Sequence, residues 1–250
     1  MSQPARFGQA VRAQSTMEAR LTARRGENLL AMIGLPAAAL VFFGLVATPA
    51  PRDVTVLLPA VLALAIVASG LVNLGVATAY ERGYGVLKRL GGSPLGFEGL
   101  LVAKLAVVAS IAVAQVVALV ALAWMVLGWR PSPDGAVIGV VVAVGMTTLV
   151  GAAAFAGMGL LIAGTVRPEA ALVLANALFL VALMVGGVLV PVEDLPGPLA
   201  SIAGLLPVGA LAEAFRASLG SGGSLAINLG IVAAWGAAAL VGAARTFRWE

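Results

Sequence analysis

Six runs of apolar residues, separated by short breaks of polar residues, Gly and Pro, dominate the chain. They cover residues 29–48, 54–79, 99–128, 135–165, 170–190 and 225–244. About 20 residues rising 1.5 Å each cross a ~30 Å hydrocarbon core, so each run predicts a membrane-spanning helix. The third and fourth are long even for a tilted helix and are expected to project beyond the bilayer. Pro49, Pro51, Pro131, Pro133, Pro168 and Pro191 all fall between the runs, where helices end most easily.

Three stretches carry a different pattern. In residues 1–27, helical spacing puts Phe7, Ala10, Val11, Met17 and Leu21 on one side and Arg6, Arg12, Arg20 and Arg24 on the other. This predicts an amphipathic helix on the membrane surface, apolar side down, although Glu18 and Arg25 interrupt the apolar side. A disordered basic tail is the alternative. Residues 85–90 form a second short amphipathic pattern, with Val86, Leu87 and Leu90 opposite Lys88 and Arg89. Residues 191–223 fit no simple loop: after Pro191, Glu193, Asp194, Leu195, Pro196 and Pro198 comes an apolar run, 199–212, interrupted by Pro207. That run is too short to span and has the length of a re-entrant segment. A further amphipathic piece, 208–219, puts Glu213 and Arg216 three apart, able to pair across one turn. Residues 191–219 are therefore expected to form a helical hairpin dipping into the outer leaflet, where irregular backbone is tolerated only inside protein or beside a water-filled cavity.

Composition turns the pattern into a class. Of 250 residues, 61% are apolar and 10% charged, and the mean hydropathy is +1.07. A soluble domain carries about 25% charged residues, so most of this chain's outside must face lipid. The chain has no His and no Cys, which excludes Ser-His and Cys-His nucleophile pairs, His-ligated haem, zinc sites of the usual kind and disulfides. No Gly-Lys dipeptide occurs, so a phosphate-cradling nucleotide loop is absent as well. The expected fold is an all-α polytopic membrane protein: a surface helix at 1–27, a six-helix domain at 28–246 and a short tail at 247–250.

The net charge of +4 first points to nucleic acid, but the positions of the charges assign it to topology. With the N-terminus inside, Arg6, Arg12, Arg20, Arg24, Arg25, Arg82, Lys88, Arg89, Lys104, Arg167, Arg245 and Arg248 lie on the cytoplasmic side. Only Arg52, Arg130 and Arg216 lie outside. Twelve of the fifteen basic residues on one side place both termini in the cytoplasm, and no nucleic-acid partner is expected.

Within the spans, polar groups are few: Asn73, Thr78, Ser110, Gln115, Thr147, Thr148 and Asn176. They are expected to serve mainly as hydrogen-bonding groups between helices. No charge is expected in mid-membrane, which argues against a proton relay or voltage sensor. Gly145, Gly151, Gly157, Gly159 and Gly164 in the fourth run let helices approach closely. Their spacing admits a dimer seam, though with 31 Gly in the chain it also arises by chance.

The inside connection 81–95 reads E-R-G-Y-G-V-L-K-R-L-G-G-S-P-L. Gly91 and Gly92 stop its short helix, and Ser93-Pro94 supplies an N-cap and first-turn Pro for the next span. A short helix held between two spans suits docking into a cytoplasmic partner. The stretch resembles the signature E-R-E-x-G-T-L-E-x-L-x-x-[ST]-P of the membrane permeases of ABC-2 type transporters. Glu81, Arg82, Gly85, Leu87, Leu90, Ser93 and Pro94 match, while Gly83 stands where the family usually has an acid and Lys88 where Glu is frequent. The stretch G-V-L-V-P-V-E-D-L-P at 187–196, with Pro207 and Ala214-Phe215-Arg216, is similar to the family's segment before the last span.

The resemblance implies a half-channel in the cell membrane that pairs with a second permease, identical or related, and with two cytoplasmic ATP-binding cassette ATPase subunits. ATP and Mg would be bound by those subunits, with no cofactor, metal or catalytic site in this chain. Glu81, Arg82, Gly85, Leu87, Lys88, Arg89, Leu90, Ser93 and Pro94, together with the N-terminal helix, would form the ATPase seat. The hairpin with Pro191, Leu195, Pro196, Pro207, Glu213 and Arg216 would line or gate the exit. The expected function is export of an amphipathic substrate, a drug-like molecule or a lipid, because the predicted path is apolar and uncharged. The alternative is a substrate-free channel or scaffold. An intramembrane protease lacks its residues here, and a secondary transporter lacks an ion-binding carboxylate in the spans.

Overall fold

The computed structural model of the chain describes residues 7–24, 26–46, 53–91, 96–130, 137–185 and 196–247. Among these there are helices and no strand. The helix α1 (Phe7–Arg24) is followed by α2 (Gly26–Val41), which runs on through a π-helical turn, Phe42–Val46. Next comes a continuous rod made of α3 (Val54–Val67), a π-helical segment (Ala68–Leu74) and α4 (Gly75–Gly83). Then follow α5 (Val86–Gly91), α6 (Gly96–Val126), α7 (Val137–Thr165) and α8 (Pro168–Val185). The short α9 (Gly197–Leu205) and α10 (Pro207–Ser218) precede α11 (Leu225–Thr246).

Among the described residues four helices are long and apolar enough to cross a membrane: Val54–Gly83, Glu98–Val126, Val137–Thr165 and Leu225–Thr246. Two shorter apolar helices, Met32–Val46 and Pro168–Met184, stand where the first and fifth spans are expected. The far ends of those two runs, 47–48 and 186–190, lie outside the described residues. At 1.5 Å per residue α6 and α7 reach roughly 45 Å, well beyond a ~30 Å core.

The rod is the centre of the bundle. Every residue from Leu57 to Val67 is buried, whereas α11 leaves much of its surface open. Helices in lipid gain nothing from hiding apolar surface from lipid tails, so close backbone approach and interhelical hydrogen bonds must hold them. Both are present. The rod meets α7 glycine on glycine: a Cβ on Gly159 would stand 2.5 Å from the Gly70 carbonyl oxygen, and one on Gly75 would stand 2.9 Å from Gly159 Cα. Gly151 abuts Leu211, Gly157 abuts Leu240 and Gly164 abuts Phe247. Four of the five glycines that admitted a dimer seam are thus occupied by this chain's own helices, and only Gly145 is open.

The π segment lies at this contact. Asn73 Nδ2 donates to Ala68 O, five residues back, at 3.0 Å, a bond that fits the widened turn. Gln115 Nε2 donates to Met32 O (2.9 Å), and Ser69 Oγ donates to Gln115 Oε1 (3.1 Å), so α2, the rod and α6 share one buried polar node. Thr147 and Ser218 pair through their hydroxyls at 2.8 Å and join α7 to α10. Of the seven polar span residues, Gln115 and Thr147 are the ones that bond across helices among the described residues. Asn73, Ser110, Thr148 and Asn176 return to carbonyls of their own helices, and Thr78 Oγ1 is buried without a partner among the described residues.

The two ends of the bundle differ. At one, buried Leu87 of α5 and Leu100 of α6 pack with Ala10, Val11 and Phe247, so both ends of the described chain meet where α5 sits. At the other, α9 and α10 form a hairpin. Leu206 is extended (φ −72°, ψ 143°), Pro207 starts α10, and a Cβ on Gly209 would overlap the Ala203 carbonyl oxygen. Buried Leu211 and Phe215 anchor α10 against α3, α7 and α11, and Trp235 Nε1 of α11 donates to Leu205 O at 3.1 Å.

Candidate coupling site

The turn from the rod into α5 is set by one residue. Gly85 has φ +70°, a conformation that costs other L-residues energy, and it lets the chain leave α4 and start α5 at once. The result inverts part of the expected amphipathic pattern. Leu87 is fully buried, as an apolar anchor should be, but Val86 is exposed together with Tyr84, while Lys88 also lies on the outside. The six-residue helix has room for one inward position per turn, and Leu87 takes it against Leu100. The side chains of Arg89 and Leu90, and all of Ser93 and Pro94, lie outside the described residues.

Glu81 and Arg82 are neighbours in sequence with separate tasks. Glu81 Oε2 accepts from Lys104 Nζ of α6 at 2.8 Å, and the same Nζ lies 3.3 Å from Glu18 Oε1 of α1. Lys104 is 2% exposed, so a buried cation is held between two carboxylates from two other helices. Gln14 Nε2 also donates to Glu18 Oε1, at 3.0 Å. A small cavity of ≈ 110 Å³ adjoins the cluster, with Ser69, Asn73 and Met32 farther along its wall.

This cluster fixes which face of α1 meets the bundle. Its inward positions are Ala10, Val11, Gln14, Ser15, Glu18 and Thr22, while Phe7, Met17 and Leu21 are exposed. Glu18 turns to the bundle because a buried ammonium without a counter-charge costs several kcal/mol, and Phe7, Met17 and Leu21 stay on the outside. Glu18, which spoils the apolar pattern, is the residue that points inward. Lys104, one of the twelve basic residues assigned to the cytoplasmic side, is buried. Its signal was legible in the sequence: a lone cation inside an apolar run calls for a named partner.

Arg82 goes the other way. Its Nη1 donates to Gly164 O (2.7 Å) and its Nη2 to Val166 O, so a guanidinium caps the last carbonyls of α7. Gly83 lies against the start of α8, where a Cβ would stand 2.8 Å from Pro168 Cγ. The acid usual at this position of the family signature would collide with that ring, which explains the glycine. Glu81, Arg82, Gly83 and Leu87 thus fasten one turn to α6, α1, α7 and α8. Replacing Arg82 with Gln removes charged hydrogen bonds of about 1.5–3 kcal/mol and is expected to lower the thermal unfolding midpoint in detergent by several degrees. Lys, with its charge but without the fork, should fall between Gln and wild type; equal midpoints for all three would refute the cap.

At the opposite end, Pro196 and Pro207 start the two hairpin helices, and Glu213 Oε1 and Arg216 Nη1 form the expected i,i+3 pair at 3.5 Å. Arg216 Nε is buried without a hydrogen-bond partner among the described residues. Pro191 and Leu195 lie outside the described residues.

An all-helical bundle with several membrane-length apolar helices, fastened at one end to a short external turn, defines a polytopic membrane protein. The family profile described as ABC-2 type transporter matches residues 10–219, and this chain belongs to that family. It is a membrane permease component of an ABC transporter, a class that generally works with ATP-binding cassette subunits. The match runs from α1 through the hairpin and ends before α11. No curated protein matches the chain.

Proposed function

We propose that this chain is the permease half of an ATP-driven exporter, energised by two separate cytoplasmic ATP-binding subunits and paired with a second permease, identical or related. The observation that carries the reading is the turn at 81–87. It presents Tyr84 and Val86 outward while its inner groups bind α1, α6, α7 and α8. A displacement of α5 by a partner is therefore applied to several helices at once, which suits rigid-body switching. ATP with its Mg is bound by the partner subunits. By the charge asymmetry, α5 and both termini lie in the cytoplasm and the hairpin lies outside the cell membrane, where Pro196, Pro207, Glu213 and Arg216 gate the exit.

The substrate reading rests on a cavity of ≈ 490 Å³ between α2, the rod and α8. Its wall is apolar, including Met32, Phe43, Phe179 and Leu183, with the two amides of Asn73 and Asn176. Such a lining suits an amphipathic molecule, a lipid or drug-like compound, with one or two polar groups. Around it α2 and α8 expose Leu35, Phe42, Val173 and Leu180, an apolar face that the second permease would cover.

The test is purification of the native complex together with Tyr84→Ser and Val86→Asp. Both side chains are exposed, so the fold should survive. An ATPase should co-purify with wild type, and both variants should lose at least tenfold in ATP-dependent transport. If no ATPase associates and both variants transport normally, the reading fails. Nucleotide-independent current in a reconstituted bilayer would favour a channel instead.

A further inference from the structure

A second large concavity lies on another face of the bundle, between the C-terminal half of α6 and the N-terminal half of α7. It measures ≈ 780 Å³, is walled mainly by valine, and is closed at one side by Leu219. It shares no lining residue with the cavity under α2 and α8. Along α6 it extends from Val113 past the helix end at Val126, roughly 20 Å of helix, which exceeds the ~15 Å depth of one leaflet.

Two observations say what fills it. The floor is open by construction: a Cβ on Gly145 would meet nothing within 4 Å, whereas Gly151, Gly157, Gly159 and Gly164 farther along the same helix are packed against protein. Val117 and Val141, at 63% and 64% exposure, leave the walls bare as well. The mouth is of a different character. Trp124 and Trp129 line it, and Arg130 places its guanidinium 5.4 Å from the centre of the Trp124 ring. Arg130 is the one charged group among the described residues of the wall. Tryptophans and a cation at the end of an apolar channel match the level of lipid headgroups, and a guanidinium fork matches a phosphate.

We propose that this groove is a phospholipid-binding site that takes one acyl chain along α6 and α7 and the lipid phosphate at Arg130. The occupant is a lipid rather than a second copy of the chain, because a helix seated there would leave the Arg130 cation and the half-exposed Trp124 without complementary chemistry. The site does not depend on the transport reading.

Native mass spectrometry of the full chain in detergent, titrated with dioleoyl phosphatidylglycerol, tests it. Wild type should show a first tightly held lipid. Arg130→Gln should weaken it about tenfold, the effect of one charged hydrogen bond, and dioleoylglycerol, which lacks the phosphate, should be weaker by a similar factor. Val117→Trp fills the groove from an exposed position and should abolish the first adduct with an unchanged unfolding midpoint. If it fails to fold, Val141→Trp decides in its place. Equal first-lipid affinity in wild type, Arg130→Gln and the folded Trp variant would overturn the proposal. So would disulfide-linked dimers of Val141→Cys in native membranes, since the chain has no other Cys and such dimers would place a second copy on the groove.

Discussion

Gly159→Val is expected to prevent accumulation of folded protein. The Cβ it adds would stand 2.5 Å from Gly70 O and 3.1 Å from Leu71 O, both backbone atoms of the central rod. A side chain can rotate away from an intruder, but a carbonyl in a buried helix cannot move without the helix. Overpacking typically costs about 1–3 kcal/mol and more where backbone must shift, and here the rod is enclosed along most of its length. Separating the rod from α7 would also strain the Arg82 cap at the end of that contact. The measurement is yield and monodispersity on size exclusion, with thermal unfolding of whatever is recovered. Gly139→Ala is the control: it lies on the same helix with nothing within 4 Å and should be neutral or slightly stabilising, because Ala is the better helix former. A Gly159→Val protein that unfolds at the wild-type midpoint would refute the glycine contact.

Lys104→Met should release α1 from the bundle. The substitution leaves Glu18 and Glu81, which share one ammonium, as two carboxylates with no cation between them. Removing one partner from a fully buried pair costs about 3–5 kcal/mol. Glu81 is about one-third exposed, so solvent screens part of that, and about 1–3 kcal/mol is the expected loss. Because α1 carries Arg12, Arg20 and Arg24, trypsin reads its docking directly. Cleavage within α1 should accelerate by about tenfold or more in Lys104→Met. Adding Glu18→Gln and Glu81→Gln should restore much of the protection, since neutral groups at these positions remove the repulsion. If trypsin cuts Lys104→Met at the wild-type rate, the cluster does not hold α1.

Much of the fold was legible in the sequence. Among the described residues the four membrane-length helices coincide with four of the apolar runs, and the pair Glu213 and Arg216 followed from helical spacing alone. Leu87 stood on the apolar side of its short pattern, but its burial against Leu100, the exposure of Val86 beside it and the turn at Gly85 were not legible. Nor was the inward face of α1, nor the separate tasks of Glu81 and Arg82. The apolar pattern of α1 did not say which residues meet the bundle, and Glu18 does so because Lys104, some 86 residues on, requires it. Arg82 likewise finds its partners at Gly164 and Val166, beyond any local pattern.

What the sequence determined by itself is that the chain lives in lipid as helices, roughly where its long helices lie, and which segments gather the positive charge. These follow locally: a backbone in hydrocarbon must satisfy its own hydrogen bonds, and only a helix does so within one segment. Which way each helix faces was decided by the tertiary structure. Lipid tails and a protein core are equally apolar, so hydrophobicity does not choose between rotations of a helix. The choice falls to contacts between distant residues: Gly159 on Gly70, Gln115 on Met32, Arg82 on the end of α7, and Lys104 between its two carboxylates.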